Sequence, residues 1–171
     1  QIMAYAGICG GENLQLNSDA TFHATSIGQV NNFVFTGTGS SCGSTANTSN
    51  CLPSSISAGS DVTIPAQTPF MLTGTVSADP DGDSLSYQWD QINVGTGTNE
   101  TNIGSDLGDN PLFRTFVPKA TSIRYFPRLS SLIGGVSDIG ETLPTTSRQL
   151  DFRMTVRDGE SGVGDDDVRV T

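Results

Sequence analysis

An acidic turn, Asp79-Pro80-Asp81-Gly82-Asp83, is the segment whose residue types and spacing most directly suggest chemistry. Its carboxylates alternate around a Pro-Gly pair, and they can converge on one hard cation because calcium accepts about six to eight oxygen ligands in flexible geometry. The twelve-residue loop and terminal Glu of an EF-hand are absent from this stretch. An Asp-rich β-turn explains the same residues by turn chemistry alone. Calcium binding and a plain turn therefore stay open as alternatives.

Further carboxylates lie towards the end of the chain, in Asp158-Gly159-Glu160 and in Asp165-Asp166-Asp167. In a β-sandwich, the end of the penultimate strand can lie near the turn between the second and third strands. Asp158 is therefore a candidate additional calcium ligand. For Asp165 to Asp167 we expect a solvated turn.

Three cysteines indicate an oxidising compartment. Cys42 and Cys51 enclose a short polar loop that a disulfide would stabilise. Cys9 would then need a partner elsewhere. Gln1 is not an initiator Met, so we expect a piece of a longer polypeptide in which that partner lies upstream. Pairing of Cys9 with Cys42 or Cys51 stays open.

The only histidine, His23, invites a catalytic interpretation, but no nucleophile arrangement in the sequence supports one. A histidine near an apolar helix face is more often a satisfied core or interface residue. One His and three Cys cannot supply a three-His zinc site. The sequence therefore predicts no catalytic residue within this chain.

Composition excludes several classes of partner. The 171 residues carry 18 Asp+Glu against eight Lys+Arg, a formal charge of −10 that would repel a nucleic-acid backbone. No apolar run approaches the ~20 residues that span a bilayer. Charged residues make up only 15% of a chain rich in Ser, Thr, Gly and Asn, which is typical of a secreted or extracellular β-protein.

The pattern divides the chain into three parts. Residues 1–35 contain a tight apolar turn and a predicted helix over 19–33, capped at Ser18-Asp19 and carrying Ile27, Val30 and Val34 on one face. Residues 36–60 are polar, without periodicity, and predict a linker or loop that contains Cys42 and Cys51.

Residues 61–171 alternate at strand period between turn residues. The predicted strands are 62–65, 70–76, 85–92, 123–126, 150–156 and 168–170. With Trp89 in the third, they favour a mainly β fold with an immunoglobulin-like sandwich. Residues 95–140 are too long for a simple hairpin connection and too apolar for a mobile loop. We expect an insertion that packs on the sandwich, with a docking surface as the alternative.

The segment Ile2-Met3-Ala4-Tyr5-Ala6-Gly7-Ile8-Cys9 resembles the Met-turn of metzincin zinc peptidases, especially the bacterial reprolysin-like family. Residues 18–27 resemble the closing helix of that catalytic domain. Residues 111–118, 124–132, 139–145 and 150–158 are similar to the β-rich domain that follows it. The resemblance implies that Met3 and Tyr5 are structural Met-turn residues, and that residues 1–35 are a short helical stub of a metzincin catalytic domain.

The zinc-binding H-E-x-x-H-x-x-G-x-x-H helix of that family is missing from the sequence. The resemblance therefore implies zinc and a protein or peptide substrate for the parent enzyme only, and this chain alone should not hydrolyse peptide bonds. Residues 58–91 are also similar to PKD-type immunoglobulin-like modules, in which Asp-rich turns often bind calcium.

Two functional hypotheses follow. In the first, the chain is the C-terminal part of a secreted reprolysin-like metalloendopeptidase with an accessory sandwich, and its partner is the missing upstream catalytic segment. In the second, it is a non-enzymatic calcium-binding adhesion or structural module that self-associates or binds protein or polysaccharide. The apolar stretch Ile2–Ile8 and Cys9 motivate self-association.

Overall fold

A computed structural model of the chain describes residues 6–171. Seven strands form the β part: β1 Ile56–Ser57, β2 Phe70–Thr73, β3 Thr75–Val76, β4 Ser86–Gln91, β5 Ile123–Phe126, β6 Leu150–Arg157 and β7 Val163–Val170. The two α-helices are α1 Ala24–Asn31 and α2 Leu129–Gly134. Short 3₁₀ turns lie at Gly10–Glu12 and Thr38–Ser41, and a π-helical turn at Asn32–Thr36 follows α1. The predicted mainly β architecture is confirmed.

One layer of the fold is an antiparallel sheet in the order β4-β6-β7, with Trp89 opposite Met154 and Phe152 opposite Val168. Two short extended segments extend its edges. Val62 pairs in parallel with Val170 beside β7, and Lys119 pairs antiparallel with Tyr87 beside β4.

The other layer consists of two antiparallel pairs, β1 with β3 and β2 with β5. Apolar residues at strand period fill the space between the layers, because alternate side chains of each strand point inward. Their centre is an aromatic cluster in which the Phe126 ring lies 4.8 Å from Phe70 and 4.6 Å from Phe152. Phe126 and Phe152 are fully buried.

Gly74, between β2 and β3, lies against Met154 of the opposite layer. A Cβ at this position would collide with Met154 Sδ of β6. The absence of a side chain therefore lets the β2–β3 backbone pack directly on β6.

The predicted helix over 19–33 is wrong at its N-terminal end. α1 begins at Ala24, and its N-cap is His23, whose Nδ1 accepts a hydrogen bond from Thr25 N at 3.1 Å. The residues around the predicted Ser18-Asp19 cap form a local turn instead, closed by Thr21 N and Asp19 O at 2.8 Å.

The predicted apolar face of this helix is also wrong, because Val30 and Val34 are 49% and 45% exposed. α1 is joined to β4 at its first turn, where Ala24 N donates to Asp90 Oδ2 at 2.8 Å. Sequence periodicity could not reveal this contact, since it is polar and is made to a distant strand.

The N-terminal segment lies on the outward face of β4. Thr21 Oγ1 donates to Gln88 Oε1 at 2.8 Å, and Gln88 Nε2 donates to Phe22 O at 3.2 Å. Asp90 is fully buried beneath the first turn of α1. The polar side of β4 is therefore a packing surface.

Residues 36–60, the predicted linker, contain β1, which pairs with β3 through Ile56 and Val76. The structure therefore places the first strand of the sandwich before residue 61. Within 95–140, Leu112 and Phe113 are buried, and Gln91 Oε1 accepts hydrogen bonds from both of their backbone N–H groups at 2.8 and 2.9 Å. This part of the long segment packs on the sandwich.

Across residues 6–171, no helix combines the length and apolar character needed to cross a membrane.

Candidate functional site

The acidic segment between β3 and β4 folds as a tight turn. Gly82 N donates to Asp79 O at 3.2 Å, and Gly82 has a φ of 84°. Asp79 Oδ1 accepts from Asp81 N at 2.9 Å and from Asp83 N at 3.1 Å. Pro80 presets its own φ, and Gly82 takes the left-handed conformation without strain. The expected turn chemistry is therefore present.

The same turn brings three carboxylates together. One oxygen from each of Asp79, Asp81 and Asp83 lies within 4.8 Å of the other two. Oxygens bound to one calcium at about 2.4 Å are separated by at most about 4.8 Å, so this spread suits a shared ion. Asp79 Oδ2 is buried and has no hydrogen-bond partner. A buried acceptor without a donor is costly, and a cation would satisfy it.

Repulsion between like charges is evident at this turn. Partial desolvation raises the pKa of Asp83, and the negative charges of Asp79, Glu160, Asp158 and Asp81 raise it further. The segment 158–160 therefore adds to the negative potential around the turn, which favours a bound cation.

Asp158, the fourth predicted calcium ligand, is buried and already has hydrogen-bond donors. Its Oδ1 accepts from Glu160 N at 2.8 Å and Gly162 N at 2.9 Å, and its Oδ2 accepts from Asn50 Nδ2 at 2.7 Å. Burial raises the pKa of Asp158, but these hydrogen bonds outweigh it and the net pKa is lowered. Within residues 6–171, the carboxylates that converge are Asp79, Asp81 and Asp83.

The acidic turn also holds the polar segment before β1. Cys51 N donates to Asp81 Oδ2 at 2.7 Å, and Asn50 Nδ2 donates to Asp158 Oδ2 at 2.7 Å. These contacts join residues that are 30 and 108 positions apart. No sequence pattern points to such pairs.

Cys42 and Cys51 are exposed and unbridged in the structure. The Cys42 thiol lies 4.0 Å from Thr38 O, and the Cys51 thiol lies 3.8 Å from Ser49 O. Their disulfide stays a prediction. Cys9 is exposed, and its backbone N–H donates to Asn13 Oδ1 at 3.3 Å.

The Met-turn residues Met3 and Tyr5 lie outside the described part of the chain. His23, which lies within it, is held on both sides of its ring. Nδ1 caps α1, and Nε2 lies 3.2 Å from Gln91 O. An Nε2–H tautomer satisfies both contacts. This geometry favours the interpretation of His23 as a satisfied interface residue.

The expected solvated turn at Asp165 to Asp167 is wrong, because these residues lie in β7. Arg153 of β6 forms ion pairs with Asp167 at 2.7 Å and Asp165 at 3.0 Å, two positions on one face of the strand. Asp166 points to the other face and accepts from Ala58 N at 2.8 Å. Strand period therefore separates the three carboxylates.

Two buried ion pairs were not anticipated. Arg124 Nη2 lies 2.7 Å from Glu141 Oε1, and Arg148 Nη1 lies 2.7 Å from Asp106 Oδ1. The Glu141 and Asp106 side chains are fully buried. The first pair joins β5 to the segment that follows α2, and the second joins two parts of the long segment between β4 and β6.

Comparison with protein families gives a match to part of the chain. The family model described as K319L-like, PKD domain, matches residues 58–108, which include β2, β3, the acidic turn and β4. No curated protein matches the chain, and no solved structure matches it. A PKD-like domain therefore lies at residues 58–108, and the converging carboxylates belong to it.

Proposed function

We propose that this chain is an extracellular accessory module whose acidic turn binds calcium. PKD-like domains are typically extracellular, and the composition agrees with that setting. The observation that carries the calcium proposal is the convergence of one carboxylate oxygen from each of three residues within 4.8 Å of one another, together with the buried Asp79 Oδ2, which has no hydrogen-bond partner.

Asp79, Asp81 and Asp83 would hold the ion, and water or backbone oxygens would complete its coordination. Bound calcium would neutralise the repulsion that these carboxylates exert on one another. Asp81 also accepts from Cys51 N, so a fixed Asp81 would fix the start of the sandwich. The proposed role of the ion is to stiffen the junction between the polar segment and the sandwich.

Thermal unfolding with calcium and with chelator tests this proposal. Because an ion that binds only the folded state stabilises it, we expect the Tm to rise with calcium concentration and to fall with chelator. Asp79→Asn and Asp83→Asn should abolish the rise. Glu100→Gln removes one surface charge beside Gly11 and should leave it unchanged. A Tm independent of calcium in the wild type would overturn the proposal.

We propose as a second element that the module accompanies a reprolysin-like zinc peptidase, with residues 1–35 as the end of its catalytic domain. The resemblance at residues 2–9 and 18–27 motivates this parentage. The outward apolar side chains Val30, Phe33 and Phe35, which are 49%, 56% and 66% exposed, support it. A preceding catalytic domain would cover them.

Peptide mapping of the native secreted protein tests the parentage. A peptide containing H-E-x-x-H in the same polypeptide, together with zinc-dependent proteolysis, is the expected result. Native material without that peptide and without zinc-dependent activity would favour the alternative, a self-standing adhesion or structural module that self-associates or binds protein or polysaccharide. The thermal unfolding test of calcium binding applies whether or not the chain belongs to a peptidase.

A further inference from the structure

A second candidate binding site lies on the opposite side of β4 from β6, at the edge of the sandwich. There the chain pairs with β4 at Lys119, through two backbone hydrogen bonds to Tyr87 of 2.7 and 2.9 Å. It then crosses to the other layer and enters β5. Between these elements is a cavity of about 340 Å³. That volume is within the ~300–1,000 Å³ range of ligand pockets.

The charge of this cavity is opposite to that of the protein. The charged residues that line it are Lys119, Arg124 and Arg128, all basic, in a chain of net charge −10. Four of the eight basic residues of the chain lie at positions 114–128. Such a local concentration favours an anionic group.

The cationic groups differ in how freely they can meet a ligand. Arg124 is fixed by Trp89 O at 2.6 Å, Arg114 O at 2.7 Å and Glu141. Arg128 pairs with Asp138, and its side chain remains 48% exposed. Lys119 is exposed, and its ammonium group takes part in none of the ion pairs within residues 6–171. Lys119 is therefore the group most available to an incoming carboxylate.

Aliphatic side chains form the accessible wall of the cavity. Val117, Ile123 and Leu129 line it and are 48%, 39% and 44% exposed. Trp89 lies at its base, only 3% exposed. The ring of Phe116 is contacted by the guanidinium groups of Arg114, Arg124 and Arg128, at 5.2, 4.9 and 5.5 Å from its centroid. These contacts hold the Phe116 side chain in place before any ligand binds.

From these features we propose that the cavity binds an acidic peptide segment, in which an Asp or Glu lies next to an aliphatic side chain. The carboxylate would contact Lys119 and the exposed part of Arg128, and the aliphatic group would pack on Val117, Ile123 and Leu129. A sugar ring needs an open aromatic face to stack on. Trp89 is buried, guanidinium groups cover Phe116, and the other aromatic residues of the lining, Tyr87 and Tyr125, are half-buried. This proposal is independent of calcium and of the parent enzyme.

Trp89 is the single tryptophan of the chain, so its emission is a built-in reporter of the cavity. The probe is a blocked synthetic peptide of alternating Leu and Glu, and its neutral counterpart has Gln in place of Glu. We expect a saturable change in Trp89 emission with the acidic peptide, weakened by added salt because the contact is partly exposed. The Gln peptide should bind at least about tenfold more weakly.

Matched variants locate the site. Lys119→Gln should weaken binding about five- to tenfold, and Val117→Thr, which keeps the shape but adds a hydroxyl, by a smaller factor. Arg169→Gln removes one positive charge from β7, beyond β6 from the cavity, and should bind as the wild type does. Far-ultraviolet circular dichroism checks that each variant is folded.

Three results would overturn the proposal. They are a Trp89 emission that does not change up to millimolar peptide, equal affinity for the Glu and Gln peptides, and wild-type affinity in Lys119→Gln. A uronic-acid oligosaccharide that produces the Lys119-dependent change where the peptide does not would overturn the assignment to a peptide.

Discussion

Asp90 of β4 caps helix α1: its Oδ2 accepts a hydrogen bond of 2.8 Å from the backbone N–H of Ala24, the first residue of the helix. The same carboxylate accepts from Gln88 Nε2 at 3.0 and 2.9 Å. A carboxylate at a helix N-terminus satisfies an N–H group that lacks a partner within the helix and interacts favourably with the helix dipole. Asp90 thus anchors the N-terminal segment to the sandwich.

Asp90→Ala should loosen this attachment. The variant leaves the Ala24 N–H unsatisfied beneath α1 and removes one of the two acceptors of the Gln88 amide, so we expect a loss of about 1–3 kcal/mol in the free energy of unfolding. Hydrogen exchange of the α1 amides should accelerate more than that of the β6 amides. Asp109→Ala, which removes a carboxylate that accepts from Thr96 Oγ1 at an exposed site, should change stability by less than about 0.5 kcal/mol. Equal exchange in both variants would contradict the anchoring role.

The pair of Arg124 and Glu141 should show strong coupling. Glu141→Leu leaves the positive charge of the buried Arg124 guanidinium without its paired carboxylate. We expect the free energy of unfolding, measured with urea, to fall by about 3–5 kcal/mol. The double variant Arg124→Met/Glu141→Leu should be more stable than the sum of the single changes predicts, by about 2 kcal/mol.

An exposed pair serves as the control for this cycle. Arg153 and Asp167, 2.7 Å apart across β6 and β7, have side chains 29% and 47% exposed. Their coupling should be below about 1 kcal/mol because solvent screens the interaction. Similar coupling energies in the two cycles would indicate that burial does not govern the Arg124–Glu141 pair.

Asp106 should give a characteristic pH dependence. Burial raises its pKa, but hydrogen bonds from Gly108 N, Thr145 N, Arg148 and Thr146 outweigh burial, and the pKa lies well below 3.8. The folded state therefore keeps Asp106 ionised at a pH where the unfolded chain is already protonated. Its contribution to stability is fully present above about pH 4 and is lost as the pH falls through the depressed pKa.

The comparison of wild type with Asp106→Asn isolates this contribution, because the other carboxylates titrate in both proteins. The difference in the free energy of unfolding between the two proteins should be constant between pH 5 and 7, because Asp in the unfolded chain titrates only near its reference pKa of ~3.9. The difference should shrink below about pH 4. A difference that stays constant down to pH 3, or that grows as the pH falls, would contradict the lowered pKa.

Gly74→Ala should destabilise the fold, because the added methyl group meets Met154 Sδ between the layers. Overpacking of this kind costs about 1–3 kcal/mol, which chemical denaturation can measure. Gly43→Ala is the matched control, since a Cβ there meets nothing within 4 Å. If both variants were equally stable, the two layers would have to be more loosely packed at Gly74 than the structure indicates.

The disulfide between Cys42 and Cys51 stays a prediction that peptide mapping under non-reducing conditions can check. We expect a cross-linked peptide containing both residues. Reduction should lower the free energy of unfolding by about 2–3 kcal/mol, because the bridge would close a short loop. A cross-link that joins Cys9 to either residue would support the alternative pairing.

Strand positions could be predicted where side chains alternate about one buried face. In β6, Phe152, Met154 and Val156 are all buried and follow that period. The acidic turn was also predictable, because its residues are adjacent in sequence. The extent of α1 was not, because its start depends on His23 and on Asp90 from a distant strand. In the same way, the pairing of Asp81 with Cys51 N depends on the tertiary fold.

The contacts of Asn50 and Cys51 with Asp158 and Asp81 set the reach of the N-terminal segment. The tether between the 3₁₀ turn ending at Ser41 and the first held residue, Asn50, is residues 42–49. Fully extended, it spans at most about 30 Å. If α1 left β4, Ser41 would stay within that distance of Asn50, and α1 would rebind as an intramolecular partner at high effective concentration.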